Sequence, residues 1–251
     1  MSDSTPPFEY LPKMTGEADP ERLDLVTKRL RSAAAGGELS PRREALKDLA
    51  DATRDLVDRL VATDAPDDVI AAATAEVRAA AGRFEGYHQG SLYGLSEMAN
   101  AGGRADPLYD HSPFIGIANP LAPPMTIRQE ADVVVAEVVF GQAYEGPPGC
   151  VHGGYVAAAF DELLGATQAL SGAPGMTGTL EVRYEAPTPL KTLLRLEGRL
   201  VGVERRKIFT EGIILVDGHV TARAKGTFIS MQPGQFLDLI AEREARGDDL
   251  R

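Results

Sequence analysis

Residues 150–165 read CVHGGYVAAAFDELLG. A histidine and two glycines lead into a smooth run of helix formers. Val156, Phe160, Leu163, Thr167 and Leu170 recur at i, i+4 and i+7, which predicts a helix over roughly 155–171 with that stripe packed on a sheet. Gly172 and Pro174 close it. The other side carries Gly154, Ala157, Ala158, Asp161, Gly165 and Gln168. All but Asp161 and Gln168 are tiny, so another element or a ligand comes close there. Asp161 is a carboxylate set among alanines, phenylalanine and leucines.

The segments after this helix are strand-like. They are TGTLEVRYEAP (177–187), LLRLEGRLVGVE (193–204), KIFTEGIILVD (207–217) and HVTARAKGTFISM (219–231). Valine-rich DVVVAEVVFG (132–141) precedes it. Asp217-Gly218 signals a two-residue hairpin. At least five strands with short turns and one long helix make an α+β unit with an antiparallel sheet.

Before residue 124 the pattern differs. Residues 1–19 hold three prolines and read as an extended arm. Residues 20–84 read as two or three antiparallel helices. PERLDLVTKRLRSAAAGG runs from Pro20 to Gly36-Gly37. SPRREALKDLADATRDLVDRLVATDA has Ser40 as cap and Pro41 behind it. It places Leu46, Leu49, Thr53, Leu56, Val57 and Leu60 on one face. PDDVIAAATAEVRAAAGRF is a further helix. Residues 85–113 read as an irregular connector, and its Asp110-His111 pair as a hydrogen-bonded turn. Residues 234–251 form a tail, with Phe236, Leu237 and Ile240 on one face of a short helix.

Composition excludes several classes. The net charge of −11 argues against nucleic-acid or anionic-membrane binding. No run of 18 apolar residues predicts a membrane span, and the first residues do not resemble a secretory signal. A cytoplasmic protein is expected. Cys150 is the single cysteine, so no intrachain disulfide forms. The four histidines, at 88, 111, 152 and 219, lack ligand spacing, so no metal site is expected. No GxGxxG opens a βαβ unit, which argues against a dinucleotide cofactor.

The helix start carries chemistry. Bare glycine at 153 and 154 leaves backbone N–H groups open, and the helix dipole favours negative charge there. Such donors hold an oxyanion. His152 sits beside them as a further candidate catalytic residue, although a histidine just before a helix more often ties the loop by hydrogen bonds than acts as a base. Gly153 and Asp161 are separated by roughly 12 Å at about 1.5 Å per residue. An oxyanion donor and a base must each stand about 3 Å from the reacting atoms. One helix cannot serve one carbonyl with both. Two antiparallel copies can, which predicts a homodimer, or a higher oligomer, with composite sites.

VHGG with FDELLG, then GMTGTLEVRYEAPTPL and VGVERRKIFTEG, resembles a hotdog-fold thioesterase of the PaaI type. The closest likeness is to the branch with HGG-x6-D and a threonine on the next strand, shared with mammalian thioesterase superfamily members 4 and 5. The resemblance covers roughly 114–233. It implies an antiparallel sheet wrapped around a long central helix, a dimer, and hydrolysis of acyl-coenzyme A thioesters without a further cofactor. By position it implies Asp161 as the carboxylate that activates water or attacks the thioester. It implies Gly153 or Gly154 as oxyanion donor and Thr177 as the residue that orients the water. Burial of Asp161 would raise its pKa from about 3.9. The alternation Leu180, Val182, Tyr184 puts Thr177 on the wrong parity unless the strand bulges or begins later. Arg205, Arg206 and Lys207 form a basic turn at the position where the family contacts the coenzyme A phosphates. Arg223 and Lys225 are weaker candidates for that task. Two other readings compete. One is a non-catalytic acyl-CoA binding or regulatory module. The other is a hotdog hydratase or dehydratase, which needs a histidine with a carboxylate.

Overall fold

A computed structural model describes residues 39–87, 110–173 and 175–230. The expected arm, the helix at 20–37, most of the connector and the C-terminal tail lie outside these residues. The elements are α1 (Pro41–Leu60), α2 (Asp67–Gly82), β1 (Thr126–Glu130), β2 (Val133–Val139), α3 (Gly153–Gln168), β3 (Gly175–Tyr184), β4 (Leu193–Glu204), β5 (Lys207–Val216) and β6 (His219–Ser230).

The six strands form one sheet in the order β1-β2-β4-β5-β6-β3, and every neighbouring pair is antiparallel. Helix α3 packs across its concave face, against β2 to β6. This is the hotdog arrangement. The stripe anticipated in the sequence is the buried one: Val156, Phe160, Leu163 and Thr167 are all buried. Each such apolar side chain contributes roughly 1.5–3 kcal/mol on burial. They meet Leu194, Leu196, Ile208, Ile214 and Phe228 from the sheet.

Glycines bring α3 onto the sheet. Gly198 of β4 pairs with Gly212 of β5. A Cβ on Gly198 would stand 2.3 Å from Thr167 Oγ1, and one on Gly212 would stand 3.1 Å from Leu164 Cδ2. The missing side chains are the space the helix occupies. Helix α3 ends in a 3-10 turn at Ala169–Ser171 and in Gly172 at φ +76°, a left-handed residue that suits glycine. Asp217 (φ +49°) and Gly218 (φ +81°) make the anticipated hairpin, with Val216 paired to His219. Strand β1, TIRQE, was not anticipated: it is short and polar and lies at the sheet edge.

The N-terminal helices depart from expectation. Ser40 caps α1, its Oγ accepting from Arg43 N at 3.4 Å. Yet Leu49, Leu56, Val57 and Leu60 of the apolar face are exposed. The helix docks by its polar side instead. Arg43 makes a two-pronged ion pair with buried Asp110, at 2.7 and 2.9 Å. Arg54 donates to the carbonyl of Asn119 at 2.7 Å and of Ile117 at 3.3 Å. Asp58 accepts from Ala143 N at 2.9 Å. The loop at 110–125 exposes backbone carbonyls, and only donors satisfy them. Helix α2 has no buried residue. It does not pack along α1, so the two do not form the antiparallel pair expected.

Candidate active site

The loop before α3 is fixed from several sides. His152 N donates to Tyr144 O at 2.9 Å, and Val151 N to Thr188 O at 2.8 Å. Tyr144 and Tyr155 stack edge to face at 4.8 Å, with Phe140 behind Tyr144 at 5.2 Å. Tyr184 reaches over from β3 and its hydroxyl donates to Gly153 O at 2.8 Å.

The two glycines at the helix start differ. His152 is the N-cap, and its Nδ1 accepts from Gly154 N at 3.0 Å. Accepting through Nδ1 places the ring proton on Nε2. The N–H of Gly154 is thereby occupied. The N–H of Gly153 has no acceptor among the described residues. The structure thus separates two donors that the sequence left equivalent, and gives His152 the loop-holding position.

Asp161 lies two turns further along α3, on the side facing β3. Thr177 Oγ1 donates to its Oδ1 at 2.8 Å. The parity conflict resolves through a bulge. The β3–β6 register shifts between Thr177 and Thr179, with Thr177 opposite Phe228 and Thr179 opposite Thr227. Gly178 is the extra residue, and it turns Thr177 to the helix side. Asp161 is exposed in the single protomer, contrary to the burial expected for it. The carboxylate that burial raises is its neighbour. Desolvation, and then the charge of Asp161, push Glu162 up to about 7. Glu162 points about 100° round the helix from Asp161, away from the Thr177 contact.

The basic turn is a two-residue hairpin loop, Arg205-Arg206, between paired Glu204 and Lys207. Arg205 adopts φ +54° there. Arg206 is anchored to the end of β6: its Nε donates to Ser230 O at 3.2 Å, and its O accepts from Ser230 N at 2.7 Å. Arg205, Arg206 and Lys207 are all exposed. The alternative cations have acidic neighbours, Arg223 beside Glu185 at 3.2 Å and Lys225 beside Glu211 at 3.7 Å. Among the described residues no cluster of three or more His, Cys, Asp or Glu is placed to hold a metal ion. No described helix is long and apolar enough to cross a membrane.

Sequence reasoning overlooked Tyr184, Glu162 and the buried amide of Gln168. Tyr184 was readable as a strand residue, but its bond to Gly153 depends on the distance between β3 and the start of α3.

Residues 148–222 match the thioesterase superfamily. A crystal structure described as a thioesterase superfamily protein is 35% identical, covers 74% of this chain and 90% of its own, and superposes with a TM-score of 0.65. The chain belongs to the thioesterase superfamily. Two curated relatives are also similar. The acyl-coenzyme A thioesterase THEM5 of Homo sapiens is 31% identical over 105 residues, 42% of this chain and 40% of its own. The acyl-coenzyme A thioesterase THEM4 of Xenopus laevis is 34% identical over 95 residues, 37% of this chain and 43% of its own. The chain therefore spans only about two fifths of the length of these curated relatives.

Proposed function

We propose that this superfamily member hydrolyses acyl-coenzyme A thioesters to the free acid and coenzyme A. The contact between Thr177 and Asp161 carries the reading. A bulge aims a hydroxyl at a carboxylate that no cation neutralises among the described contacts, beside a helix that presents small residues. Water held beside Asp161 and Thr177 gives a proton to Asp161 as its oxygen bonds the thioester carbon. The oxyanion takes the open N–H of Gly153. Collapse breaks the C–S bond, and the departing thiolate takes the proton back. Coenzyme A enters only as part of the substrate.

Gly153 and Asp161 of one helix stand roughly 12 Å apart, so the oxyanion donor comes from Gly153 of the partner subunit. Strand β3 supports such a pairing. Among the described residues it bonds only to β6, leaving its outer edge unpaired, and Met176 and Tyr184 on it are more than half exposed. Two copies joined along β3 bring their α3 helices side by side in opposite directions. The exposed Arg205, Arg206 and Lys207 turn suits the phosphates of coenzyme A. It is a local cation cluster on a protein of net charge −11.

A hydratase reading fares worse, because Nδ1 of His152 is already committed to Gly154 N. The deciding experiment is thiol release from short, medium, long and aromatic acyl-CoAs by wild type and Asp161→Asn. Hydrolysis by wild type, lowered on the order of 10²–10⁴-fold in the variant, is expected. Equal rates in both would remove Asp161 from the chemistry. Tight CoA binding without release from any substrate would make the protein a binding module.

A further inference from the structure

Gln168 lies on the same side of α3 as Asp161, seven residues on, or about 10 Å along the axis. Its side chain is buried, at 3% exposure. Its Oε1 is out of contact with water and accepts no hydrogen bond among the described residues. Above it β3 begins with Gly175, where an added Cβ would stand 3.1 Å from that Oε1. Between Asp161 and Gln168 comes Gly165. A Cβ there would meet nothing within 4 Å, so the helix borders open space at that point. One side of α3 therefore offers the carboxylate, an open floor, and a buried acceptor with no donor among the described residues.

A buried acceptor left without a donor is costly, and such groups call for a partner. A site that hydrogen-bonds a substrate hydroxyl also discriminates strongly against the analogue lacking it. We propose that Gln168 is a specificity-determining residue, accepting a hydrogen bond from a hydroxyl on the acyl group about 10 Å from the thioester carbonyl. This rests on the thioesterase reading above and names its substrate class: medium-length acyl thioesters hydroxylated near the far end. An extended chain of roughly eight carbons spans the distance.

The test compares kcat/KM for ω-hydroxyacyl-, ω-methoxyacyl- and plain acyl-CoAs of six, eight and ten carbons. Wild type and Gln168→Met are assayed together. Wild type is expected to favour the hydroxylated substrate of one length at least tenfold over both analogues. Methionine keeps the volume and removes the acceptor, so the variant should lose that preference. The methoxy series needs no variant, since the ether matches the hydroxyl as an acceptor and cannot donate. Wild type treating all three alike, or a preference that survives in Gln168→Met, overturns the role of Gln168 while leaving the thioesterase in place. Release from none of these, nor from the broader acyl-CoA panel, overturns the thioesterase reading and this inference with it.

Discussion

Thr177 shows what one inserted residue does. Regular alternation would point it away from α3, and the Gly178 bulge turns it to Asp161 at 2.8 Å. The sequence exposed the conflict of parity and offered two solutions, a bulge or a later strand start, without choosing between them. A bulge depends on pairing with β6, and glycine within TGTLEV does not by itself announce one. Glu162 was likewise invisible, because its burial depends on what surrounds the helix. Its charged state is opposed in the folded protein, so its pKa rises from 4.5 to about 7. The folded state then binds more protons than the unfolded chain across that window, and stability falls as pH climbs through it. Glu162→Gln should raise stability at pH 8 by about 1–3 kcal/mol and leave it nearly unchanged at pH 4, with urea titrations at both values as the check.

At the scale of elements, α3 and its bed of glycines decide the fold. The stripe on α3 was legible because helical periodicity survives in sequence. The glycines at 198 and 212 were not, since only a three-dimensional approach gives them meaning. Gly198→Ala would drive a methyl into Thr167 and should cost about 1–3 kcal/mol in urea unfolding. Adding Thr167→Ala should recover part of that loss. The hairpin of Arg205 and Arg206 was readable as a basic turn, whereas the clasp between Arg206 and Ser230 joins residues 24 apart. Arg206→Ala should raise KM for acyl-CoA several-fold with little change in kcat, and the effect should shrink as salt rises. An unchanged KM would remove the turn from phosphate binding.

For the whole molecule, the instructive failure concerns α1. Its leucine face reads as the docking face, and the helix instead binds through Arg43, Arg54 and Asp58. Carbonyls of a neighbouring loop cannot be recognised as acceptors from sequence. Arg43→Met should remove about 2 kcal/mol from the attachment of α1. Amide exchange would then quicken across 41–60 and stay unchanged in β4 to β6. Uniform acceleration through the whole sheet would contradict a local latch.

The bulge in β3 also bears on which chains can join this edge. An open strand of ten residues invites any extended peptide to extend the sheet. A strand interrupted at Gly178 offers its hydrogen-bonding groups out of step on the two sides of that residue. A stray strand meets a broken ladder, and a shifted register finds no second place to settle. The irregularity that aims one hydroxyl thus acts as a lock on the sheet margin, open to a surface shaped for it and closed to indiscriminate aggregation.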